Sequence, residues 1–542
     1  MMYSVPTMYI ERTTRKIGPK THECFMLRES YRENGKILKR TIANISHLST
    51  AEIEALRAAL KYKQPAVPLS EMSMRTGKVI GSLTVVREIA KKLGIVDALG
   101  SSRDAALSLW LIFARLVEQG SRLSSVRLLE RHDSSLLGLG SFDENDLYDA
   151  LTWVNAKQEA IQQALFKKRY GDKAPRLFLY DVTSSYLEGT DNQLAWWGYN
   201  RDGKKGKKQI VFGLLTDDAG EPIAVEVFKG NTADPATFVE LVTGFGKRFG
   251  VSEVIFVGDR GMIKKLGIEA LHKENFKYIT GITTAQIKTL MKDGVIQLDL
   301  FDSELHEASD GDLRYVFRKN PVRAAEVSAA RSDKLARLKD LASKETLYLT
   351  AHPLATEAKA IARVEVMAAK LKLQCLVIIK AEYRKIEVAI DENQWQEASQ
   401  LDGCYVLKTD VSAVELDASS IHARYKDLAK VERGFRTIKT GLLEVRPIWL
   451  RDEAKTRGHV FICMLAYMIS RELKKLTVGE ETVEDLIADL NMVTELKITT
   501  GKETIVSIPQ PPDTAARIAS RLGIKFEPAP VVSTKHRISK SA

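Results

Sequence analysis

Cysteine is scarce in this chain. The 542 residues include four cysteines, Cys24, Cys375, Cys404 and Cys463, and none forms a C-x-x-C pair. This pattern argues against both a disulfide framework and a zinc finger. It favours reduced thiols in a reducing compartment.

Long apolar segments are also missing. The longest apolar run, Val460 to Ile469, is too short to cross a bilayer. The first sixteen residues have no apolar core of the kind that a secretory signal needs. We therefore expect a cytoplasmic protein with no membrane partner.

Acidic residues are outnumbered by basic ones. Lys and Arg number 81, Asp and Glu number 70, the formal net charge is +11 and the pI is about 9.1. A basic balance favours a polyanionic partner, with DNA or RNA first. Hydrophobic residues make up 44% of the chain, which is enough for several folded cores.

Five regions are predicted from changes in the sequence pattern. Residues 1–70 contain a β-hairpin signal at Asn34-Gly35 and a helix that Ser49 and Glu52 begin as a capping box. Residues 71–172 are predicted to be helical. A mixed sheet with helices is predicted at 173–283 and 411–480, interrupted by an α+β insertion at 284–410. The C-terminal region, 481–542, is expected to end in a loosely ordered tail after Ser507.

Within the insertion, a charged helix is predicted at 324–345. The β-type runs there are Thr346–Thr350, Gln374–Ile379, Ile386–Ile390 and Cys404–Lys408.

Two aspartates directly follow short apolar runs that are typical of buried strands. Asp181 follows Leu177–Tyr180, and Asp259 follows Val254–Gly258. Catalytic groups often lie just beyond strand ends, and paired carboxylates are ligands for Mg²⁺ in phosphodiester chemistry. An aspartate after a strand is also common as a turn or helix cap, so each residue alone is a weak signal.

Glu432 is the candidate third carboxylate, on a helix predicted from Ala413 to Lys439. Tyr425 lies seven residues before Glu432 and Lys439 seven residues after it, so the three are predicted to share one helical face. A hydroxyl, a carboxylate and an ammonium on one face are suited to hold a metal and an adjacent phosphate. Arg433 and Arg436 add positive charge around this helix, and a solvated basic helix is the alternative interpretation.

At these residues the sequence resembles the DDE transposases of bacterial insertion sequences, in the large family numbered four or its close offshoots. Their signature is Tyr, two residues, Arg, three residues, Glu, six residues, Lys. Tyr425, Glu432 and Lys439 match it, whereas Leu428 stands at the Arg position. This departure leaves open which cation contacts the phosphate there, with Arg424 and Arg436 as candidates.

The resemblance covers roughly residues 175–470 and implies a ribonuclease H-like catalytic core that carries an insertion. It implies that Asp181, Asp259 and Glu432 bind Mg²⁺, with Mn²⁺ able to substitute. It also implies cleavage at the element's inverted repeats, joining of the 3′-hydroxyl to target DNA, and a homodimer that pairs two transposon ends. The preceding helical region is expected to bind those ends, and the protein is expected to associate with the nucleoid.

A compact basic loop, Arg201 to Lys208, follows Asp181, and it contains Lys204, Lys205, Lys207 and Lys208. It is predicted either to contact DNA phosphates or to be a solvated hairpin entry. Trp196, Trp197 and Tyr199 precede it, and packing of the loop is favoured over stacking on a base. Packing is likewise favoured for Trp395.

Two other classes of function stay open from the sequence. One is a catalytically idle DNA-binding protein derived from a transposase, and the other is a metal-dependent DNA nuclease without strand transfer. The presence of three carboxylates argues against the first, and the Tyr425–Lys439 pattern argues against the second.

Overall fold

The computed structural model describes residues 7–17, 20–33, 36–62, 72–439, 443–446, 448–500 and 503–527. These residues form two compact units. The first contains the described residues of 1–78 and 493–511 together with 526–527, and the second contains those of 79–492 and 512–525. Most of the predicted helical region therefore lies in the same unit as the predicted sheet.

The N-terminal part of the first unit is a three-stranded antiparallel sheet followed by a helix and a strand. These elements are β1 (Thr7–Ile17), β2 (Lys20–Glu33), β3 (Lys36–Asn44), α1 (Thr50–Tyr62) and β4 (Met72–Val79). The predicted turn at Asn34-Gly35 lies outside the described residues. The capping box is confirmed, because Ser49 N–H donates to Glu52 Oε2 at 2.7 Å and Glu52 N–H donates to Ser49 Oγ at 3.3 Å.

The prediction that residues 71–172 are helical is wrong at its start, because Met72–Val79 form β4. The rest of that region is a helical layer at the beginning of the second unit. Its helices are α2 (Gly81–Lys92), α3 (Ile95–Leu99), α4 (Arg103–Val117), α5 (Arg122–Arg131) and α6 (Glu144–Tyr170). Helix α4 is buried on nearly all sides from Ala105 to Leu116. A helix that is apolar all round needs neighbours all round, so α4 is a core helix.

A mixed sheet follows, so the predicted α/β class is confirmed. Its first elements are β5 (Leu177–Tyr186), β6 (Gln209–Asp217), β7 (Pro222–Lys229), α7 (Asp234–Val242), α8 (Phe245–Phe249), β8 (Ile255–Gly258), α9 (Lys265–Lys273) and β9 (Lys277–Gly281). Strands β5, β6 and β7 form an antiparallel meander, whereas β5, β8 and β9 pair in parallel.

Three strands from the predicted insertion belong to this central sheet. After α10 (Thr284–Lys292), they are β10 (His306–Asp310), β11 (Leu313–Lys319) and β14 (Cys404–Thr409), and the strand order is β10-β11-β14-β9-β8-β5-β6-β7. Between β11 and β14 the chain forms a separate subdomain with its own apolar core. It consists of α11 (Pro321–Ala351), α12 (Glu357–Leu371), β12 (Val377–Glu382), β13 (Lys385–Ile390) and α13 (Glu392–Gln400).

The prediction of a strand at Thr346–Thr350 is wrong, because these residues form the last turns of α11. Their β-branched and aromatic side chains favour strands only weakly. The long helix that precedes them continues, and Leu349 is buried in the subdomain core.

The remaining elements complete both units. They are α14 (Ala418–Lys426), α15 (Leu428–Lys439), α16 (Glu453–Leu476), α17 (Val483–Asn491), β15 (Thr494–Thr500), β16 (Glu503–Ser507) and α18 (Asp513–Leu522). Strands β15 and β16 pair in the first unit in the order β16-β15-β4. Helix α16, buried almost continuously from Thr456 to Ser470, packs against α4 and α6 and also against β7.

The expectation of a loosely ordered tail is wrong for Asp513–Leu522. There the spacing of Ala515, Ile518 and Ala519 puts three buried residues on one face of α18. Among the described residues, no helix combines the length and apolar character that a membrane crossing requires.

Candidate active site

Asp181 and Asp259 stand at the same level of two neighbouring parallel strands. Tyr180 of β5 pairs with Gly258 of β8, and each aspartate is the next residue. Neighbouring strands lie about 4.8 Å apart, so the backbones of the two aspartates are adjacent. Asp259 follows the end of its strand as predicted.

Asp181 lies within its strand rather than beyond its end. Strand β5 continues to Tyr186, and residues 182–186 pair with β6. The apolar run ends at Tyr180, but Val182 and Thr183 are β-branched and buried, which suits a strand. The carboxylate therefore rises from a strand that is still paired with β6 at this position, whereas the pairing with β8 ends at Tyr180.

Both aspartates are held by local hydrogen bonds. Asp181 Oδ1 accepts the Val182 N–H at 2.8 Å. Asp259 Oδ1 accepts the Arg260 N–H at 2.7 Å and the Tyr425 hydroxyl at 3.1 Å. These bonds fix the orientation of each carboxylate before any ligand binds.

Glu432 approaches from α15, which packs against β5 and β6 through its apolar face. Val431 and Phe435 are buried, while Glu432 is exposed at the mouth of a cavity of about 310 Å³. The cavity's lining contains four carboxylates and one guanidinium, from Asp181, Asp234, Asp259, Glu432 and Arg201. The structure therefore brings the three predicted carboxylates to one acidic cavity.

The lining of this cavity carries more negative than positive charge, because four carboxylates face one guanidinium. Burial, together with the negative charges of Asp259 and Glu432, raises the pKa of Asp181 to about 7, although the hydrogen bond from Val182 and the charge of Arg201 oppose the shift. Oxygen ligands from one or two carboxylates plus water are what Mg²⁺ prefers, so the residue types at this cavity suit a divalent cation. Across the described residues, no group of three or more His, Cys, Asp or Glu side chains is gathered closely enough to hold a metal ion.

Tyr425 and Glu432 lie on two different helices, α14 and α15, and not on one helix as predicted. The prediction of a single helix from 413 to 439 is wrong, because α14 ends at Lys426 and α15 begins at Leu428. Between them, the Asp427 carboxylate pairs with Lys430 at 2.8 Å. Tyr425 nevertheless donates to Asp259, and burial, with the nearby Asp259 charge, raises its pKa, so the hydroxyl keeps its proton.

The side chain of Lys439 is more buried than that of a lysine that contacts a phosphate at the protein surface. Its Nζ donates to Thr183 Oγ1 at 3.1 Å and is 2.5 Å from Asp202 Oδ1. Burial lowers the pKa of Lys439, although Asp202 opposes the shift. Thr183 lines the acidic cavity, so the ammonium is one side chain away from it.

The three arginines predicted around this helix do not line the acidic cavity. Arg424 pairs with Asp218 at 3.3 Å and with Asp427 at 3.2 Å. Arg433 and Arg436 line a separate basic cavity of about 830 Å³. The guanidinium that does line the acidic cavity is that of Arg201, the first residue of the basic loop.

The basic loop between β5 and β6 is largely exposed, as either interpretation of it requires. Lys204 and Lys205 are exposed, and Lys204 lies over the Tyr186 ring. Lys207 pairs with Glu188 at 2.5 Å, and Lys208 is half-buried.

Packing against the loop was the favoured interpretation for the aromatic residues that precede it, but their side chains are largely exposed. Trp196, Trp197 and Tyr199 are 54%, 58% and 84% exposed. In contrast, Trp395 packs against the core of the subdomain between β11 and β14 and under the Arg331 guanidinium, as favoured.

Sequence reasoning missed the polar residues that surround the carboxylates. Arg201 bonds both oxygens of Asp234 at 2.8 Å, and Asp202 pairs with Lys439 and Arg446. The Arg-Asp-Gly sequence at 201–203 has the composition of a turn, and the pairings of Asp202, across more than 200 residues, leave no local signal.

Carboxylates gathered at one cavity are a feature of many metal-dependent enzymes that cut phosphodiester bonds. The sequence model described as "Transposase DDE domain" matches residues 172–469. That described as "IS1634 family transposase, N-terminal domain" matches residues 10–68. The chain belongs to the family of transposases with a DDE domain.

Two solved structures show a distant likeness to this chain. The first is the piggyBac transposase synaptic complex with hairpin DNA, at 9% identity and a TM-score of 0.35, covering 83% of this chain and 80% of that one. The second is the Mos1 transposase paired-end complex with left transposon end, at 13% identity and a TM-score of 0.15, covering 33% of this chain and 58% of that one. No curated protein gives a significant match.

Family membership defines what the chain does. It is a DNA transposase of a bacterial insertion sequence, which cleaves at the ends of its element and joins the 3′-hydroxyl to target DNA. Transposases of this family bind DNA and use divalent metal ions, and two-metal chemistry is general among them.

Proposed function

We propose that Asp181, Asp259 and Glu432 are the catalytic carboxylates of this transposase and that they bind Mg²⁺, with Mn²⁺ able to substitute. The observation that carries the proposal is their convergence on one acidic cavity from two adjacent strands and one helix. When bound, the metal ions would activate the attacking oxygen and stabilise the leaving one.

The protein's own groups prepare this site. Tyr425 fixes the rotation of the Asp259 carboxylate, and the Val182 N–H fixes that of Asp181. Arg201, held by Asp234, supplies the positive charge that Leu428 lacks at the signature's Arg position. Lys439 supplies an ammonium for a phosphate of the bound DNA, next to Thr183.

The wider architecture of the proposal follows the family. We propose a ribonuclease H-like core, a homodimer that pairs two transposon ends, and recognition of the inverted repeats by the helical layer α2–α6. Lys204, Lys205, Lys207 and Lys208 would contact the DNA backbone, as would Arg424, Arg433 and Arg436 on the outer faces of α14 and α15. Because chromosomal DNA in bacteria lies in the cytoplasm, we propose that the protein acts there.

The test is cleavage and joining of a DNA that carries the element's own flanking sequence, with Mg²⁺. We compare wild type with Asp259→Ala and with Asp172→Ala, an exposed aspartate for which no ion pair occurs among the described residues. Removing one proposed ligand should abolish cleavage and leave DNA binding intact, because phosphate contacts elsewhere persist. Asp172→Ala should cut as wild type does.

Each alternative predicts a different result. Binding without cleavage by wild type would favour the idle DNA-binding protein. Cleavage that ignores the element's ends and yields no joined product would favour a nuclease. Equal cleavage by wild type and Asp259→Ala would mean that the metal site lies elsewhere.

A further inference from the structure

Asp202 is a buried carboxylate in the loop between β5 and β6, and its side chain is 1% exposed. Its Oδ2 accepts the Tyr186 N–H at 3.2 Å, and its own N–H donates to Asn200 Oδ1 at 2.9 Å. The next residue, Gly203, has a φ of +69°, which favours glycine. The turn thus directs the carboxylate inward.

Two cations meet at this one carboxylate. Asp202 Oδ1 is 2.5 Å from Lys439 Nζ and 2.6 Å from Arg446 Nη1. The side chain of Lys439 is 11% exposed and that of Arg446 is 26% exposed. A buried cation needs a partner to offset its desolvation, and here one negative charge serves both.

Within the described part of the chain, the contacts of the Lys439 ammonium occupy two of its donors. An ammonium has three N–H groups. One is donated to Thr183 Oγ1 at 3.1 Å and one faces Asp202. The third can therefore bind an oxygen of an approaching anion at the edge of the acidic cavity, which Thr183 lines.

We propose that Asp202 is a positioning residue for DNA cleavage, which holds the Lys439 ammonium beside Thr183 so that the remaining N–H meets a phosphate oxygen of the strand being cut. The inference rests on the proposed function of the acidic cavity. Asp202 does not touch the DNA itself and acts through Lys439. The adjacent Arg201 holds Asp234 in the cavity, so one turn of the loop supports the site at two points.

The experiment uses the full-length protein and the end-containing DNA, with Asp202→Asn as the main variant. The amide keeps the volume and one acceptor oxygen but removes the charge. The single-turnover cleavage rate should fall about 10- to 100-fold, as expected when a reacting group is displaced by about 1 Å. The dissociation constant for the DNA should stay equal or decrease, because one negative charge is lost.

Two further comparisons separate positioning from a structural contribution. In a Lys439→Ala background, Asp202→Asn should cause no additional loss of rate, since its effect passes through the lysine. The matched control is Asp191→Asn, in the same loop but exposed and, in the described part of the chain, without an ion pair. It should cut as wild type does. Thermal unfolding and DNA binding are measured for every variant.

Several outcomes would overturn the inference: cleavage by Asp202→Asn at the wild-type rate, an additive loss in the double variant, or a loss that follows DNA affinity. If Asp202→Asn does not fold, Thr183→Val removes the lysine's other anchor. It should then slow cleavage in the wild-type background and not in Lys439→Ala, and any other result counts against the inference. Asp259→Ala is run in parallel, because activity in that variant would refute the proposed function instead.

Discussion

The hydrogen bond from Tyr425 to Asp259 offers the sharpest test of how the site is preorganised. The hydroxyl of Tyr425 lies 3.1 Å from Asp259 Oδ1. Tyr425→Phe deletes this donor and changes little else. A hydrogen bond to an ionised acceptor contributes about 1.5–3 kcal/mol, and about 1.36 kcal/mol corresponds to a factor of ten. The expected loss in cleavage rate is therefore about 10- to 150-fold.

The assay is single-turnover cleavage of end-containing DNA over a range of Mg²⁺ concentrations. If Tyr425 orients a metal ligand, the variant should also need more Mg²⁺ for half-maximal rate and recover partly at high Mg²⁺. Tyr148→Phe is the matched control, because its hydroxyl donates to Glu144 at 3.0 Å on α6, outside the acidic cavity. It should leave the cleavage rate unchanged.

A second substitution disturbs the same bond without removing it. A Cβ at Gly281 would stand 2.7 Å from the Tyr425 hydroxyl oxygen, so Gly281→Ala must displace that hydroxyl. Gly281→Ala should slow cleavage in wild type but not in Tyr425→Phe. Wild-type rates and Mg²⁺ dependence in Tyr425→Phe would refute the reasoning, since the bond would then contribute nothing to the site.

Two further predictions concern the strand beneath the site and the exposed aromatic residues. A Cβ at Gly213 would stand 2.1 Å from the hydroxyl oxygen of Tyr180, which is fully buried one residue before Asp181. Gly213→Ala should cost about 1–3 kcal/mol in the free energy of unfolding, as overpacking does, and should slow cleavage; denaturant unfolding at wild-type stability would contradict this. Trp197, at 58% exposure, packs little, so Trp197→Ala should leave stability unchanged. If it stacks on a base, affinity for DNA should fall by about 1–3 kcal/mol, and unchanged affinity in a binding titration would show that it does not.

Local signals in the sequence were enough to predict the elements that carry the carboxylates. The apolar runs before Asp181 and Asp259 correspond to β5 and β8. Each is short and buried, so its composition alone indicates a strand. The spacing around Glu432 likewise identified a helix whose apolar face packs on the sheet.

Features that depend on distant pairing could not be predicted in this way. The composition of β14 indicates a strand but not its partner. Its pairing with β9 in the central sheet depends on the tertiary fold. Asp202 meets Lys439 across 237 positions of sequence. Asp427 lies at the break between α14 and α15, and its pairing with Lys430 has the spacing of an ordinary helical ion pair.

The position of α16 affects the order in which the protein can fold during synthesis. This helix covers α4, α6 and β7 together, yet it ends at Leu476, 306 residues after α6 ends at Tyr170. At about 5–20 residues per second, the ribosome needs roughly 15–60 s to synthesise that interval. During this time α16 does not yet cover the apolar sides of α4 and α6. A translation product that stops before Glu453 would keep those surfaces exposed, as a target for chaperones and proteases.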